Sequence, residues 1–209
     1  TTTQTAALST YAIAALSASA VPSLQVASLT STQIKSLKAD QIKRYTAASQ
    51  FPALTTTQVP NLSADAIKAM TTAQIAGLST QQVLELTTAT LRALTTKQIA
   101  ALETRDVEVL TSSNIAALSS VQLQVLTTSQ IASLTTQQVS ELSTNTLKYL
   151  TTTQIAAIET TDLKVMSTDQ LLSLNSSQVR ALSTAQMVEL TSVQLVGLSS
   201  AAVGALTTQ

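Results

Sequence analysis

From Leu54 onward an aliphatic residue returns every eight positions: Leu54, Leu62, Met70, Leu78, Leu86, Leu94, Leu102 and so on to Leu206. Of these 20 anchors 17 are Leu; the others are Met70, Ile158 and Met166. A second aliphatic follows each anchor by five positions, as in Val59, Ile67, Ile75, Val83 and Leu91. Between them the chain is polar but barely charged, and the phrase reads Leu-Thr-Thr-x-Gln-Ile-x-x. A fixed short period comes before any other feature, because it specifies an array of like units. Before Leu54 the register is looser. Leu8, Leu16 and Leu24 keep it, it resets at Leu29 and Leu37, passes through Tyr45, and takes nine residues to reach Leu54. Pro22, Pro52, Pro60 and the only Phe, Phe51, lie in or beside this stretch. The expected organisation is one continuous array: residues 1–53 with irregular register and a Pro-containing junction, then residues 54–209 as regular octads.

Three foldings of the octad compete. One continuous helix turns through roughly 800° in eight residues, so its apolar stripe would rotate away from any single face. In a strand, residues five apart point to opposite faces; a β-solenoid stays open as the alternative, since Thr, Val and Ile suit strands. A short helix per octad gives every position a role. With Thr95 as N-cap, Gln98 falls at the third helical position, and the pair forms a capping box. Leu94 before the cap and Ile99 after the box stand where a hydrophobic staple packs. Ile99 and Leu102 share a helical face. The residue after the anchor is Ser or Thr in 16 of the 19 complete octads from Leu54, and the box position is Gln in most, with Asp106, Asp162 and Asn114 as near equivalents. A β-solenoid offers no reason for Gln at that spacing. The predicted fold class is therefore all-α: a solenoid of short capped helices, about seven residues each, one per octad. Such helices are too short to stand alone and must bury their faces against neighbouring coils.

A longer repeat lies over the octad. The segment from Gln74, QIAGLSTQQVLELTTATLRAL, returns from Gln130 as QIASLTTQQVSELSTNTLKYL, seven octads later. Small-residue octads begin at Ile75, Ile99, Ile115, Ile131 and Ile155, which suggests three small faces per seven octads. The expectation is a coil of 7/3 octads per turn, about 19 residues, with Ala-rich helices aligned along one side.

Composition narrows the chemistry. The 209 residues carry 11 basic and 11 acidic side chains, no His, no Cys and no Trp, while Ser and Thr make up nearly a third of the chain. A neutral chain has no general attraction for nucleic acid or acidic membrane. Without Cys there is neither a disulfide framework nor a thiolate metal site. No apolar run approaches a bilayer span. The opening TTTQTAALST has neither a start Met nor a signal peptide, so the chain reads as a processed protein or a piece of a longer array. No catalytic residue, cofactor motif or Gly-rich phosphate loop emerges, and no enzyme is expected. The weak metal candidates are the acid pairs Glu103, Asp106 and Glu159, Asp162; carboxylates three apart suit a hard cation, and equally suit a helix N-terminus. The candidate partner contact is Tyr45, Phe51, Pro52 and Pro60, where the repeat is broken.

The units LTTKQIAAL, LTTSQIASL and LTTTQIAAI resemble the Thr/Leu/Gln-rich tandem-repeat tracts of very large secreted bacterial surface proteins, adhesin-like ones among them. The resemblance covers nearly the whole chain and transfers no functional residue. It implies export to the cell surface or medium, and a spacer or fibre role. The expected function is structural: a subunit of an extracellular filament whose solenoid ends, lacking polar capping repeats, stack on copies of itself. A stalk within a large adhesin, and a solenoid presenting a groove to a protein, glycan or cell surface, are the alternatives.

Overall fold

A computed structural model describes residues 2–46 and 53–198. Phe51, Pro52 and Leu206 lie outside the described residues. Among these the chain forms 21 short α-helices, three 3₁₀ turns and no strand. The fold is an all-α repeat solenoid, with one helix per octad. Each regular helix runs four to six residues, as in Thr96–Ala100 and Thr88–Ala93, a little shorter than the seven expected. The helix stops early because the residue before the next anchor drops to φ near −90°, as at Ala101. The anchor itself is extended, as at Leu94 with φ −62° and ψ 139°.

That ending explains the scarcity of glycine. Helices commonly terminate through a left-handed glycine that satisfies their last carbonyls locally. No described residue here has positive φ. The last carbonyls are left facing along the solenoid, and their partners come from another coil.

The core consists of two rows. The inner aliphatics (Ile75, Val83, Leu91, Ile99, Ile131, Ile155) are essentially sealed from solvent, and the anchors (Leu78, Leu86, Leu94, Leu102) are almost as deeply buried. A five-residue helix gains too little from its own hydrogen bonds to persist; burial of these two rows is what holds it.

The chain divides into two compact units, Thr1–Val109 and Leu110–Gln209. Within each, a helix packs on the helix three octads later. In the first unit Thr72–Ala76 packs on Thr96–Ala100, and Ala64–Ala69 on Thr88–Ala93. In the second, Thr136–Ser140 packs on Thr160–Leu163, and Thr152–Ala156 on Ser176–Arg180. The expected 7/3 octads per turn is therefore wrong: a turn holds between three and four. Two of the expected small-face alignments do occur, Thr72–Ala76 on Thr96–Ala100 and Thr128–Ala132 on Thr152–Ala156. The Ser112–Ala116 helix, in contrast, packs on Thr136–Ser140 and belongs to another column. Small residues mark where helices come close, and they need not all mark one side.

Candidate functional site, the glutamine ladder between coils

The capping box forms as the octad predicts. Thr95 accepts from the Gln98 backbone N–H at 3.3 Å, and the Gln98 Oε1 accepts from the Thr95 N–H at 2.7 Å. Thr71 with Gln74, Thr127 with Gln130 and Thr151 with Gln154 repeat it. Leu94 and Ile99, which bracket the cap, are both buried.

The box leaves the Gln Nε2 unused, and this atom makes the bond that the sequence reading missed. Gln98 Nε2 donates to the carbonyls of Ile67 at 2.7 Å and Met70 at 2.8 Å, 31 and 28 residues earlier. Gln154 reaches Leu123 and Leu126, Gln170 reaches Val139 and Leu142, and Gln178 reaches Leu147 and Leu150, at the same two separations. One buried carboxamide thus closes the N-terminus of its own helix and the C-terminus of a helix one coil away. Glu would serve a capping box equally well, but a carboxylate has no proton to donate. The preference for Gln is the signal that was available in the sequence.

The ladder sets the pitch. Thr96–Ala100 packs on Thr72–Ala76, three octads back, while Gln98 bonds the end of Ala64–Ala69, four back. A turn therefore holds more than three octads and fewer than four.

The irregular N-terminal stretch keeps the same connections. Gln33 and Gln41 donate to the anchor carbonyls Leu8 and Leu16, 25 residues back, because the step from Leu24 to Leu29 is three residues short. Gln58 and Gln74 donate to Leu29 and Tyr45, 29 residues back, because the step from Tyr45 to Leu54 is one residue long. Turns are counted in octads, and the short step from Leu24 to Leu29 is taken up by the 3₁₀ turn Val26–Ser28.

The candidate partner patch is corrected in part. Tyr45 is not a surface residue: it fills an anchor position, is 3% exposed, and its hydroxyl has no hydrogen-bond partner among the described residues. Burial pushes its phenol above the ordinary value. Pro60 is half-buried in the first turn of Val59–Asn61.

The acidic candidates sit in the ladder. Asp106 occupies the Gln position, fully buried, with Oδ2 accepting from the Glu103 N–H at 3.2 Å. Its Oδ1 has no hydrogen-bond partner among the described residues and lies 4.0 Å from Arg105 Nε, while Arg105 pairs with Glu103 at 2.7 Å. Burial raises the Asp106 carboxyl above its usual range, against the lowering effects of the Glu103 N–H and Arg105. Asp162 Oδ1 accepts from the Thr136 hydroxyl at 2.8 Å, across one coil. Among the described residues no cluster of three or more potential metal ligands forms. Both carboxylates are too short to reach where the Gln Nε2 goes, and neither carries a donor when ionised.

An open groove of about 430 Å³ lies in the second unit over Ala132, Ala156, Ala157, Glu159 and Ser183. Glu159 is the one titratable side chain among its lining residues. No helix among the described residues is long and apolar enough to cross a membrane.

Helices that repeat one capping box and one cross-coil bond define a tandem-repeat solenoid protein. The model of the ALTTAQ repeat family matches residues 48–80, 99–136 and 155–192, just over half of the chain, and the chain belongs to that family. No curated protein matches it.

Proposed function

We propose that the chain acts as a length of structural rod, a subunit of an extracellular filament that grows by end-to-end stacking of solenoid turns on further copies. The observation that carries this reading is the repetition of one coil-to-coil contact. Gln98, Gln154, Gln170 and Gln178 each donate to two carbonyls one turn back, so the face that one such turn offers is complementary to any other turn of the same kind. Contacts that generate a next identical contact, rather than close on themselves, build fibres. Export to the cell surface rests on the resemblance to secreted bacterial repeat tracts. The same ladder serves equally in a stalk within a longer adhesin, where more octads of one polypeptide take the place of the second copy.

Negative-stain electron microscopy of native material, with intact mass on the same sample, tests this. Uniform fibres from a chain of about 21.8 kDa are expected for a filament subunit. Material that stays monomeric and fibre-free at high concentration sinks the filament reading, and a far greater native mass selects the stalk.

A further inference from the structure

The sides of the solenoid are polar almost everywhere, because outward octad positions hold Ser, Thr, Gln or Ala. In the second unit two columns depart from this: one exposes Val165 and Val188, and the other exposes a large apolar side chain on every helix. Ser120–Gln124, Thr144–Tyr149, Thr168–Leu172 and Ser192–Gly197 pack each on the next. Each turns a large apolar side chain to solvent: Val121, Tyr149, Leu172, then Val193 with Val196, between 41% and 86% exposed. These residues lie three, six or seven positions after their anchors, places that share one helix side. Monomeric proteins seldom leave large apolar groups contiguous on the surface without a partner.

Charge identifies the partner. The column carries Lys148 on its second helix and Asp169 on its third, both exposed, and neither belongs to an ion pair among the described residues. Rotation about a two-fold axis between the second and third helices lays the column on itself reversed. Lys148 then meets the partner's Asp169, and Asp169 meets the partner's Lys148. Tyr149 and Leu172 exchange places at the centre, and Val121 falls against the partner's Val193 and Val196. Such self-matching is what a two-fold interface requires.

We propose that this column is a lateral docking surface for a second copy of the chain, paired about that two-fold axis. The pairing goes beyond end-to-end stacking, since it uses the flank of the solenoid and none of the ladder. With packed helices about 8–10 Å apart, the strip is roughly 30 Å long and one helix wide. That area falls below the roughly 800 Å² per partner of a standard stable interface, so the pair is weak and concentration-dependent. In a filament, it ties rods side by side.

Sedimentation velocity on the full chain over a wide concentration range tests the pairing. Wild-type protein is expected to show a monomer–dimer equilibrium. Lys148→Glu alone and Asp169→Lys alone each set like charges against each other twice, and each weakens association at least about tenfold. Mixing the two single variants, or combining both changes in one chain, restores it. Circular dichroism of each variant checks the fold, which these exposed substitutions leave intact. Wild-type protein that stays monomeric, including protein that instead retains a glycan or foreign protein on this column, overturns the proposal. So does association that the charge reversals leave unchanged. Fibre length in the microscope is read separately, so failure of end-to-end stacking is distinguished from failure of lateral pairing.

Discussion

Gln98 donates from Nε2 to the carbonyl of Met70 at 2.8 Å, 28 residues earlier in the chain. The same side chain accepts the N–H of Thr95 at 2.7 Å. A local cap and a long-range contact are therefore carried by one buried carboxamide, and the two halves of its function require opposite hydrogen-bonding characters. The Oε1 must accept and the Nε2 must donate.

Gln154→Glu separates those halves. The variant keeps the size of the side chain and the acceptor for Thr151, but it sets a carboxylate oxygen against the carbonyls of Leu123 and Leu126. Leaving such groups buried and unmatched costs about 1–3 kcal/mol each, so a loss of roughly 2–5 kcal/mol is expected. Urea unfolding at pH 7 measures it. At a pH below the pKa of the new carboxyl its proton can donate, and part of the loss should return. Equal losses at both pH values would rule out the missing donor as the cause.

Asp106 holds the converse experiment in the natural chain. Burial raises its carboxyl pKa in the folded state, so over the interval above the ordinary value of about 3.9 the folded chain binds more protons than the unfolded one. Stability from this position is then complete at low pH and declines as pH rises through that interval. Asp106→Asn should remove the decline, so the variant's advantage over wild type grows between pH 4 and pH 7. Asp106→Gln should add the cross-coil donors as well and raise the thermal midpoint further. Parallel melts at the two pH values decide it; an advantage that shrinks with rising pH contradicts the assignment.

Ile155→Ala should cost about 2–5 kcal/mol, the range for emptying a sealed aliphatic site. Thr151→Ala removes only the cap hydroxyl and should cost about 1 kcal/mol. Chemical denaturation of the two variants ranks them. The reverse order would mean that the caps, and not the inner row, hold the helices.

Turns counted in octads predict an asymmetry between deletions. Removing residues 95–102 takes out one whole octad and leaves every later Gln opposite an anchor carbonyl. Mean residue helicity by circular dichroism should be nearly unchanged. Removing residues 95–98 deletes a cap and its Gln together and brings the next anchor within half an octad, so helicity and the unfolding midpoint should both fall. Similar behaviour of the two deletions would show that the ladder does not set the register.

The octad by itself determined the local structure. Helix, N-cap, box and the two buried rows depend on residues within about eight positions of one another, and their chemistry is satisfied inside that window. Thr95, Gln98, Ile99 and Leu102 each occupy the role that their spacing predicts. The slipped register before Leu54 was legible too, since a shortened or lengthened step changes no side-chain role. What only the tertiary structure decided was how octads meet. The separation of 28 residues between Gln98 and Met70 follows from which carbonyls face an Nε2 across a coil, and no period within one octad encodes it. The seven-octad repeat suggests three small faces per seven octads; the bonds and the packing within each unit instead place between three and four octads in a turn. Tyr45 shows the same limit. As an aromatic at a break in the pattern it reads as a surface contact, yet the coil packed over it makes it a buried anchor. Position along the chain gave its octad place, but only the neighbouring turn, with Gln74 bonded to its carbonyl at 2.7 Å, shut it away from solvent.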